Sequence, residues 1–182
     1  QLVMTQNYFY NYESINSDFT IDVLTRNIQF HNRHKENNWK VTLIDTGLNT
    51  LKGGRIKRIE KYLESDINLL TYGDGVADIN ITKLIQFHKS HSKTVTITGV
   101  HPSARFGELI EENGKVGLFQ EKPKTSTGLI NGGFMVINRN LLDYLSADSD
   151  SDFEIGPLEL LAKEGEIMVY KHSGKWECMD HE

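Results

Sequence analysis

INLLTYGDGVAD, residues 67–78, is the stretch that decides the fold of this 182-residue chain. It begins with an apolar run, Ile67 to Tyr72, which is typical of a buried strand, and glycines at 73 and 75 end that run. A helix predicted near Ile79 to His91 follows, and then a β-branched strand at Thr94 to Thr98. Strand, helix and strand in this order form the crossover unit of a parallel sheet. The sequence therefore predicts an α/β fold.

The pattern extends in both directions from this centre. Upstream, the three- to five-residue spacing of Leu51, Ile56, Ile59 and Leu63 predicts a helix over about 49–64. Downstream, the pattern predicts two helices and five further strands. The helices are expected near 139–145 and 156–163, and the strands near 105–109, 116–120, 133–137, 167–170 and 175–178.

The first third of the chain reads differently from the rest. Apolar and polar residues alternate around Phe19, and short runs follow at Ile28 to Phe30 and at Val41 to Ile44. These runs predict a small β insertion over about 13–40. We see no linker or repeat, so we predict one domain over 1–182, with a mixed, mostly parallel sheet flanked by helices.

Composition excludes several classes of protein. The net charge is -5 and no Lys/Arg run occurs, which argues against a nucleic-acid-binding protein. One cysteine, Cys178, cannot form an intrachain disulfide, and such usage is typical of intracellular proteins. No run of about 18 apolar residues predicts a membrane span. We expect a cytoplasmic protein that binds neither nucleic acid nor membrane.

Asp74 lies where an α/β sheet places its ligands, just after the carboxyl end of a strand. Its carboxylate could hold Mg²⁺ beside substrate phosphates, and Gly73 would let a ligand approach the backbone. A turn in which Asp74 caps its own backbone is an equal alternative. His88 and His91 have a zinc-like gap but no third ligand at a suitable distance, so we expect them at the surface or in a polar layer.

Three more segments carry candidate binding residues. In 121–124, Lys122 could meet a phosphate and Glu121 a sugar hydroxyl, although a solvated charged turn is the alternative. Asn131 and Gly132 begin a strand, where a sugar could lie against the main chain or where a plain turn could form. In 45–55 an anion or a base could meet backbone N–H groups, and Arg55 could bind a phosphate or be an ordinary surface arginine.

Six motifs follow one another in a distinctive order. They are VTLIDTG at 41–47, GGRIKR at 53–58, TYGDGVAD at 71–78, EKPK at 121–124, INGGF at 130–134 and WECMD at 176–180. Together they resemble the sugar nucleotidylyltransferases, and among these the glucose-1-phosphate cytidylyltransferases. Residues 17–34 resemble an insertion that separates this group from the thymidylyl- and uridylyltransferases.

The resemblance implies a Rossmann-like nucleotide-diphospho-sugar transferase fold and the transfer of a cytidylyl group from CTP to glucose 1-phosphate. The products would be pyrophosphate and CDP-glucose, the latter used in deoxysugar or cell-surface polysaccharide biosynthesis such as that of lipopolysaccharide O-antigen. It also implies a homo-oligomer.

The resemblance implies a role for each matching residue. Asp74 and Asp180 would bind the Mg²⁺ cofactor, and Lys122 would serve catalysis by neutralising the attacking phosphate. The nucleotide would be bound by Thr46, Gly47, Thr50, Arg55 and Gly73. The sugar phosphate would be bound by Glu121, Lys122, Asn131 and Gly132, with Trp176 packed close to the metal-bearing turn.

The chain departs from the family at both ends. The glycine-rich G-G-x-G-T-R loop that opens family members does not occur in it, and a C-terminal helix after Asp180 is also absent, so we expect a domain that is incomplete at both ends. Two other functions stay open. One is a nucleotidylyltransferase with a different base or sugar, and the other is a non-catalytic subunit that binds a sugar nucleotide.

Overall fold

The computed structural model describes residues 2–32, 35–36, 38–101, 108–112, 115–120 and 128–179. The chain forms two compact units, residues 1–46 and residues 47–182. The single domain over 1–182 and its insertion at about 13–40 stay predictions. No helix among the described residues is long and apolar enough to span a bilayer.

The first unit combines two helices with a hairpin. The helices are α1 (Leu2–Tyr10) and α2 (Tyr12–Asn16), and the strands are β1 (Phe19–Ile21) and β2 (Ile28–Phe30), which pair antiparallel. The two strands match the predicted ones. The helices were missed, although Tyr8, Phe9 and Tyr12 have helical spacing and their rings cluster with centroids 5.2 to 5.9 Å apart.

The strand predicted at Val41 to Ile44 is wrong. Residues 41–47 take no regular secondary structure. A strand needs a neighbouring strand for its N–H and C=O groups. Within the described ranges no strand pairs with this segment, so its apolar residues alone do not make it a strand.

The second unit contains a four-stranded mixed sheet. The strands are β3 (Ile67–Thr71), β5 (Val95–Val100), β8 (Ile130–Asn138) and β9 (Ile167–His172), in the order β3-β8-β5-β9. β8 pairs antiparallel with both neighbours, whereas β5 and β9 are parallel. Three of the four strands therefore run in one direction, and the crossover from β3 to β5 passes through α4 (Ile81–Lys89). The predicted mixed α/β sheet is confirmed.

Apolar residues alternate along β8 and build a core on each face of the sheet. Met135 and Ile137 pack with helix α3 (Lys52–Arg58), with residues 141–145 and with α5 (Glu159–Lys163) on one face. Val136 packs with Leu84 of α4 on the other face. This alternation follows the two-residue period of a strand, and it produces three layers.

Three predicted helices are shorter or different from what periodicity indicates. The first is α3, which ends at Arg58 and is followed by a 3₁₀ turn, Glu60–Tyr62. The helix near 139–145 is a 3₁₀ helix, Arg139–Tyr144. The helix near 156–163 is interrupted, because Gly156 has a φ of 99° and Pro157 lacks an N–H, so regular α-helix begins only at Glu159.

Two short antiparallel pairs complete the second unit. They are β6 (Glu108–Glu112) with β7 (Lys115–Gln120), and β4 (Gly75–Ala77) with β10 (Trp176–Cys178). Strands β6, β7 and β10 overlap the strands predicted near 105–109, 116–120 and 175–178. Strand β4 was expected only as a turn. The second pair brings the end of the described chain beside the turn at 73–74.

Candidate active site

The turn that carries Asp74 joins β3 to β4 and is closed by the end of the chain. Gly75 lies opposite Cys178 in the β4–β10 pair, and the next N–H, that of Met179, donates to the carbonyl oxygen of Asp74 at 2.8 Å. Two segments that lie about a hundred residues apart in sequence therefore meet here. Predicted metal ligand Asp180 follows Met179 directly and lies outside the described residues.

Two carboxylates flank β4 and are used differently. The side chain of Asp78 accepts the N–H of Lys175 at 2.8 Å and contacts Nε2 of His172 at 2.9 Å, so it holds the turn before β10. The half-buried Asp74 has no side-chain hydrogen bond or ion pair among the residues that the structure describes. Of the two, Asp74 is therefore the carboxylate available to a ligand.

The start of β8 reaches the same turn through Trp176. Nε1 of Trp176 donates to the carbonyl oxygen of Gly132 at 2.9 Å. A side chain at Gly75 would begin 3.7 Å from that same oxygen. Gly132 is buried and packs so closely on Val100 that a Cβ would lie 2.8 Å from Cγ1 of that valine. The predicted sugar-phosphate residues Asn131, Gly132 and Trp176 thus lie beside the turn of Asp74.

Tyr72 occupies the space between β3 and this turn, and sequence reasoning missed its role. Its N–H donates to the carbonyl oxygen of Gly133 at 3.1 Å. Gly133 has a φ of 77°, and a Cβ there would lie 3.1 Å from the Tyr72 ring, so glycine is required. Because Tyr72 is only the last residue of an ordinary apolar run in the sequence, no local pattern indicates its role.

The hydroxyl of Tyr72 is held by an acid from a distant loop. It donates to Oε1 of Glu154 at 2.6 Å, and Lys52 pairs with the same oxygen and lies 4.9 Å from the ring centre of Tyr72. Burial raises the pKa of the Tyr72 hydroxyl above its ordinary value, and its hydrogen bond to Glu154 raises that pKa further, against an opposing contact with Asn131. The phenol therefore stays a hydrogen-bond donor.

The predicted nucleotide residues around α3 lie in a tightly packed junction. Thr50 is 5% exposed, and its hydroxyl accepts a hydrogen bond from Arg58 at 2.6 Å. Arg55 donates to the carbonyl oxygen of Leu48 at 3.0 Å. A Cβ at Gly47 would lie 2.7 Å from Oγ1 of Thr50. The structure thus brings Gly47, Thr50 and Arg55 together, through contacts within the junction.

Helix α3 is seated on the loop that leads to Glu154. The N–H of Leu51 donates to Ser149 at 2.8 Å, and that of Gly54 donates to Ser151 at 3.0 Å, so the loop takes over hydrogen bonds that a helix start leaves open. A Cβ at Gly54 would clash with the carbonyl oxygen of Asp148. The glycine pair of the GGRIKR motif therefore serves close packing between the helix and the loop.

Several predicted residues cannot be placed in this site. Glu121, Lys122 and Asp180 lie outside the described residues. Thr46 is the last residue of the first unit. In the described part of the chain no three His, Cys, Asp or Glu side chains form a metal-binding group. The Mg²⁺ pair proposed from the sequence contains only two carboxylates, and the roles of these residues stay predictions.

The amino-acid sequence is similar to that of a known family of enzymes and to named members of it. Residues 26–177 match the Nucleotidyl transferase family. Two proteins named glucose-1-phosphate cytidylyltransferase, from Salmonella typhi and from Salmonella typhimurium, are each 44% identical over 174 residues, which is 95% of this chain. The chain spans 67% of the length of these relatives.

The fold also matches a solved structure at low sequence identity. A Bacillus anthracis crystal structure described as a glucose-1-phosphate thymidylyltransferase superposes with a TM-score of 0.50 at 16% identity. The match covers 71% of this chain and 55% of that protein, and it concerns the fold alone. The family match over residues 26–177 and the 44% identity to two named relatives place the chain in the nucleotidyl transferase family, among relatives of the glucose-1-phosphate cytidylyltransferases.

Proposed function

We propose that the protein transfers a cytidylyl group from CTP to glucose 1-phosphate and so gives CDP-glucose and pyrophosphate. The observation that carries this proposal is the meeting of the Asp74 turn, the start of β8 and the last described strand. Each segment supplies a part of the proposed site: the carboxylate of Asp74, the close-packed glycines of β8 and the ring of Trp176. The identity of 44% to two named cytidylyltransferases supports the choice of CTP.

Asp74 and Asp180 are the proposed Mg²⁺ ligands. The fit rests on the Asp74 carboxylate, which is half-buried and takes no hydrogen bond from any described residue. Oxygen ligands of this kind suit Mg²⁺, which keeps several waters and binds through one or two carboxylates and the substrate phosphates. When bound, the ion would neutralise charge on the triphosphate.

The remaining side chains bind and orient the two substrates in this proposal. Thr46, Gly47, Thr50, Arg55 and Gly73 are the residues proposed to bind CTP. Glu121, Lys122, Asn131, Gly132 and Trp176 face the sugar phosphate. The open space around Gly73 supports its part, since no atom lies within 4 Å of where a Cβ would stand.

The chemistry requires positioning more than proton transfer. A phosphate oxygen of glucose 1-phosphate attacks the α-phosphorus of CTP, the new P–O bond forms and the bond to pyrophosphate breaks. The attacking phosphate is already ionised near neutral pH, so no general base is needed. Lys122 would hold this anion in line, and that alignment supplies much of the rate.

Other properties of the protein are part of the proposal. The aromatic residues of the first unit, among them Tyr10 at 90% exposure, are consistent with a homo-oligomeric contact. A cytoplasmic location and a place in deoxysugar or cell-surface polysaccharide biosynthesis also stay predictions.

The test is pyrophosphate release by the full-length protein with Mg²⁺ and glucose 1-phosphate, in parallel with CTP, dTTP and UTP. Release with CTP alone would support the proposal. Release with another nucleotide would replace CTP by that nucleotide and keep the reaction. If no nucleotide gives release while CDP-glucose still binds in a calorimetric titration, the protein is a non-catalytic binding subunit and the proposal is wrong.

A further inference from the structure

Tyr72 is fixed at three points, although it belongs to no regular element. Its N–H is bonded to Gly133, one edge of its ring rests on the same glycine, and its hydroxyl is bonded to Glu154 at 2.6 Å. Lys52 covers the ring at 4.9 Å. A tyrosine held at its backbone, ring and hydroxyl has little freedom to shift, so it can fix the main chain on either side of it.

Glu154, which binds that hydroxyl, is itself held by its own loop. Its N–H donates to Oδ1 of Asp152 at 2.7 Å, and its neighbour Phe153 is completely buried. The Asp152 carboxylate also accepts the N–H of Ile155, which lowers the pKa of that carboxyl below its ordinary value. The same loop carries helix α3 through the N–H groups of Leu51 and Gly54. Glu154 is thus an acceptor of fixed position rather than a mobile surface acid.

We propose that Glu154 is a positioning residue, which fixes the hydroxyl of Tyr72 and thereby the turn that carries Asp74. The inference rests on the proposed function, because it takes Asp74 as the metal-binding carboxylate. Asp74 is two residues beyond Tyr72, and its carbonyl oxygen is held from the other side by Met179. The turn is therefore anchored on its upstream side by Glu154 and on its downstream side by β10.

The first arm of the test compares four variants of the full-length protein. Glu154→Ala and Tyr72→Phe each remove the hydrogen bond, and each should lower kcat about tenfold, because the turn that carries Asp74 would shift and a misplacement of about 1 Å can already cost about 100-fold. The double variant should be no slower than either single variant, since both remove one contact. Glu154→Gln keeps an acceptor oxygen and should restore kcat to within about twofold, although the ion pair with Lys52 is lost.

A matched control exists elsewhere in the same unit. Tyr144 donates its hydroxyl to Glu164 at 2.8 Å, so Tyr144→Phe and Glu164→Ala each remove the same kind of contact away from the Asp74 turn. These variants should leave kcat unchanged. KM for CTP should change little in any variant, because the inference concerns the turn and not nucleotide binding. KM for glucose 1-phosphate should change little in Glu154→Ala and in the controls, whereas Tyr72→Phe also removes a contact with Asn131.

The second arm measures metal binding without turnover. Mn²⁺ is titrated into each protein, and the free ion is counted by electron paramagnetic resonance. Tyr72→Phe and Glu154→Ala should need about tenfold more Mn²⁺ for half-saturation, whereas Glu154→Gln and the two controls should match the wild type. Thermal unfolding of every variant shows that the folded state is retained.

The outcomes separate this inference from the proposed function. If the wild type releases no pyrophosphate but Mn²⁺ binding weakens as expected, the proposed function fails and the positioning role stands. If the wild type turns over while the variants equal it in kcat and in Mn²⁺ binding, the positioning role is overturned. Three other results would also overturn the positioning role. The losses of kcat in the two single variants could multiply in the double variant, or kcat of Glu154→Gln could stay as low as that of Glu154→Ala. The third is a wild type that does not bind Mn²⁺.

Discussion

The two ends of the four-stranded sheet use their polar residues in opposite ways. At the end where β5 begins and β8 finishes, five hydrogen bonds form a closed circuit. Lys93 N–H donates to Nδ1 of His91 at 3.1 Å, and His91 Nε2 donates to the hydroxyl of Thr96 at 2.8 Å. The hydroxyl of Thr96 donates to Nδ1 of His88 at 2.9 Å, and Nε2 of His88 donates to Oδ1 of Asn138 at 3.0 Å. Nδ2 of Asn138 donates to the carbonyl oxygen of Lys93 at 3.0 Å, which completes the circuit.

At the opposite end, where β3 finishes and β8 begins, the carboxylate of Asp74 has no partner in the described part of the chain. Space is also open around Gly73. Buried polar groups are costly unless they are satisfied, so a closed circuit serves the folded state, whereas groups left available can serve a ligand. The comparison separates residues for stability from residues for function.

The difference between residues for stability and residues for function would be contradicted if replacing Asp74 and replacing Asp78 had the same effects on rate and stability. Asp74→Ala should reduce pyrophosphate release at least ~100-fold, since metal-held charge is worth several kcal/mol in the transition state. It should hardly change the free energy of unfolding, because the carboxylate forms no hydrogen bond or ion pair with the described residues. Kinetic assays and chemical denaturation of one preparation would measure both.

Asp78→Ala is the matched control for that variant. It removes the bonds to Lys175 and His172 and should lower the free energy of unfolding by about 1 kcal/mol, with a much smaller loss of rate. If both variants lost rate equally, the assignment of the metal ligand to Asp74 alone would be wrong.

Lys122 tests the proposed binding of glucose 1-phosphate. Lys122→Ala should raise KM for glucose 1-phosphate about tenfold or more, because a charge-assisted hydrogen bond to the attacking phosphate is lost. KM for CTP should stay within about twofold. Lys124→Ala removes the same charge two residues away and is the control in the same steady-state assay. Equal effects on both KM values would indicate a general structural role for Lys122.

Two glycines test the difference between packing and open space. Gly54→Ala places a methyl group against the carbonyl oxygen of Asp148 and should lower the free energy of unfolding by about 1 to 3 kcal/mol. Gly73→Ala meets nothing within 4 Å and should leave stability unchanged while raising KM for CTP. Denaturant unfolding and CTP titration of the pair would measure this, and a destabilised Gly73→Ala would contradict it.

The closed circuit should make the fold sensitive to acid. Burial lowers the pKa of His91, as do the nearby His88 and Lys93, against the smaller opposite effect of Glu166. The unfolded chain therefore binds a proton to this side chain more readily than the folded chain does. The free energy of unfolding should be at its full value above about pH 6.5 and fall as the pH decreases, by no more than about 1.4 kcal/mol per pH unit for one proton.

His91→Gln removes the titrating ring and should flatten this dependence between about pH 6.5 and pH 5. His31, which contacts Thr20 in the first unit, gives the control variant His31→Gln, which should keep it. Thermal unfolding at closely spaced pH values would measure the slopes. Equal slopes in the wild type and in His91→Gln would show that another group controls the acid response.

Sequence reasoning predicted the parts of the fold that are written in local patterns. β3, α4 and β5 follow from an apolar run, a helical period and a β-branched run in adjacent segments. The turn at Asp74 followed from its place after a strand. Val41 to Ile44 failed because an apolar run does not reveal whether a partner strand exists.

The contacts that hold the site could not be predicted in this way. Tyr72 and Glu154 are 82 residues apart, and their hydrogen bond depends on how the loop before α5 folds back onto α3. The circuit between His88 and Asn138 spans 50 residues in the same manner. The sequence showed only a zinc-like gap between His88 and His91. No local pattern indicated that the hydroxyl of Thr96 hydrogen-bonds both rings.

The position of β8 has a consequence for how the chain is made. β8 is the shared neighbour of β3 and β5, yet it follows β5 by about thirty residues in the sequence. Until it leaves the ribosome, both earlier strands expose unpaired edges, and such edges favour pairing with other chains. Closure of the sheet therefore has to wait first for residues 130–138 and then for β9, which covers the remaining edge of β5, so all four strands are paired only once synthesis has passed His172.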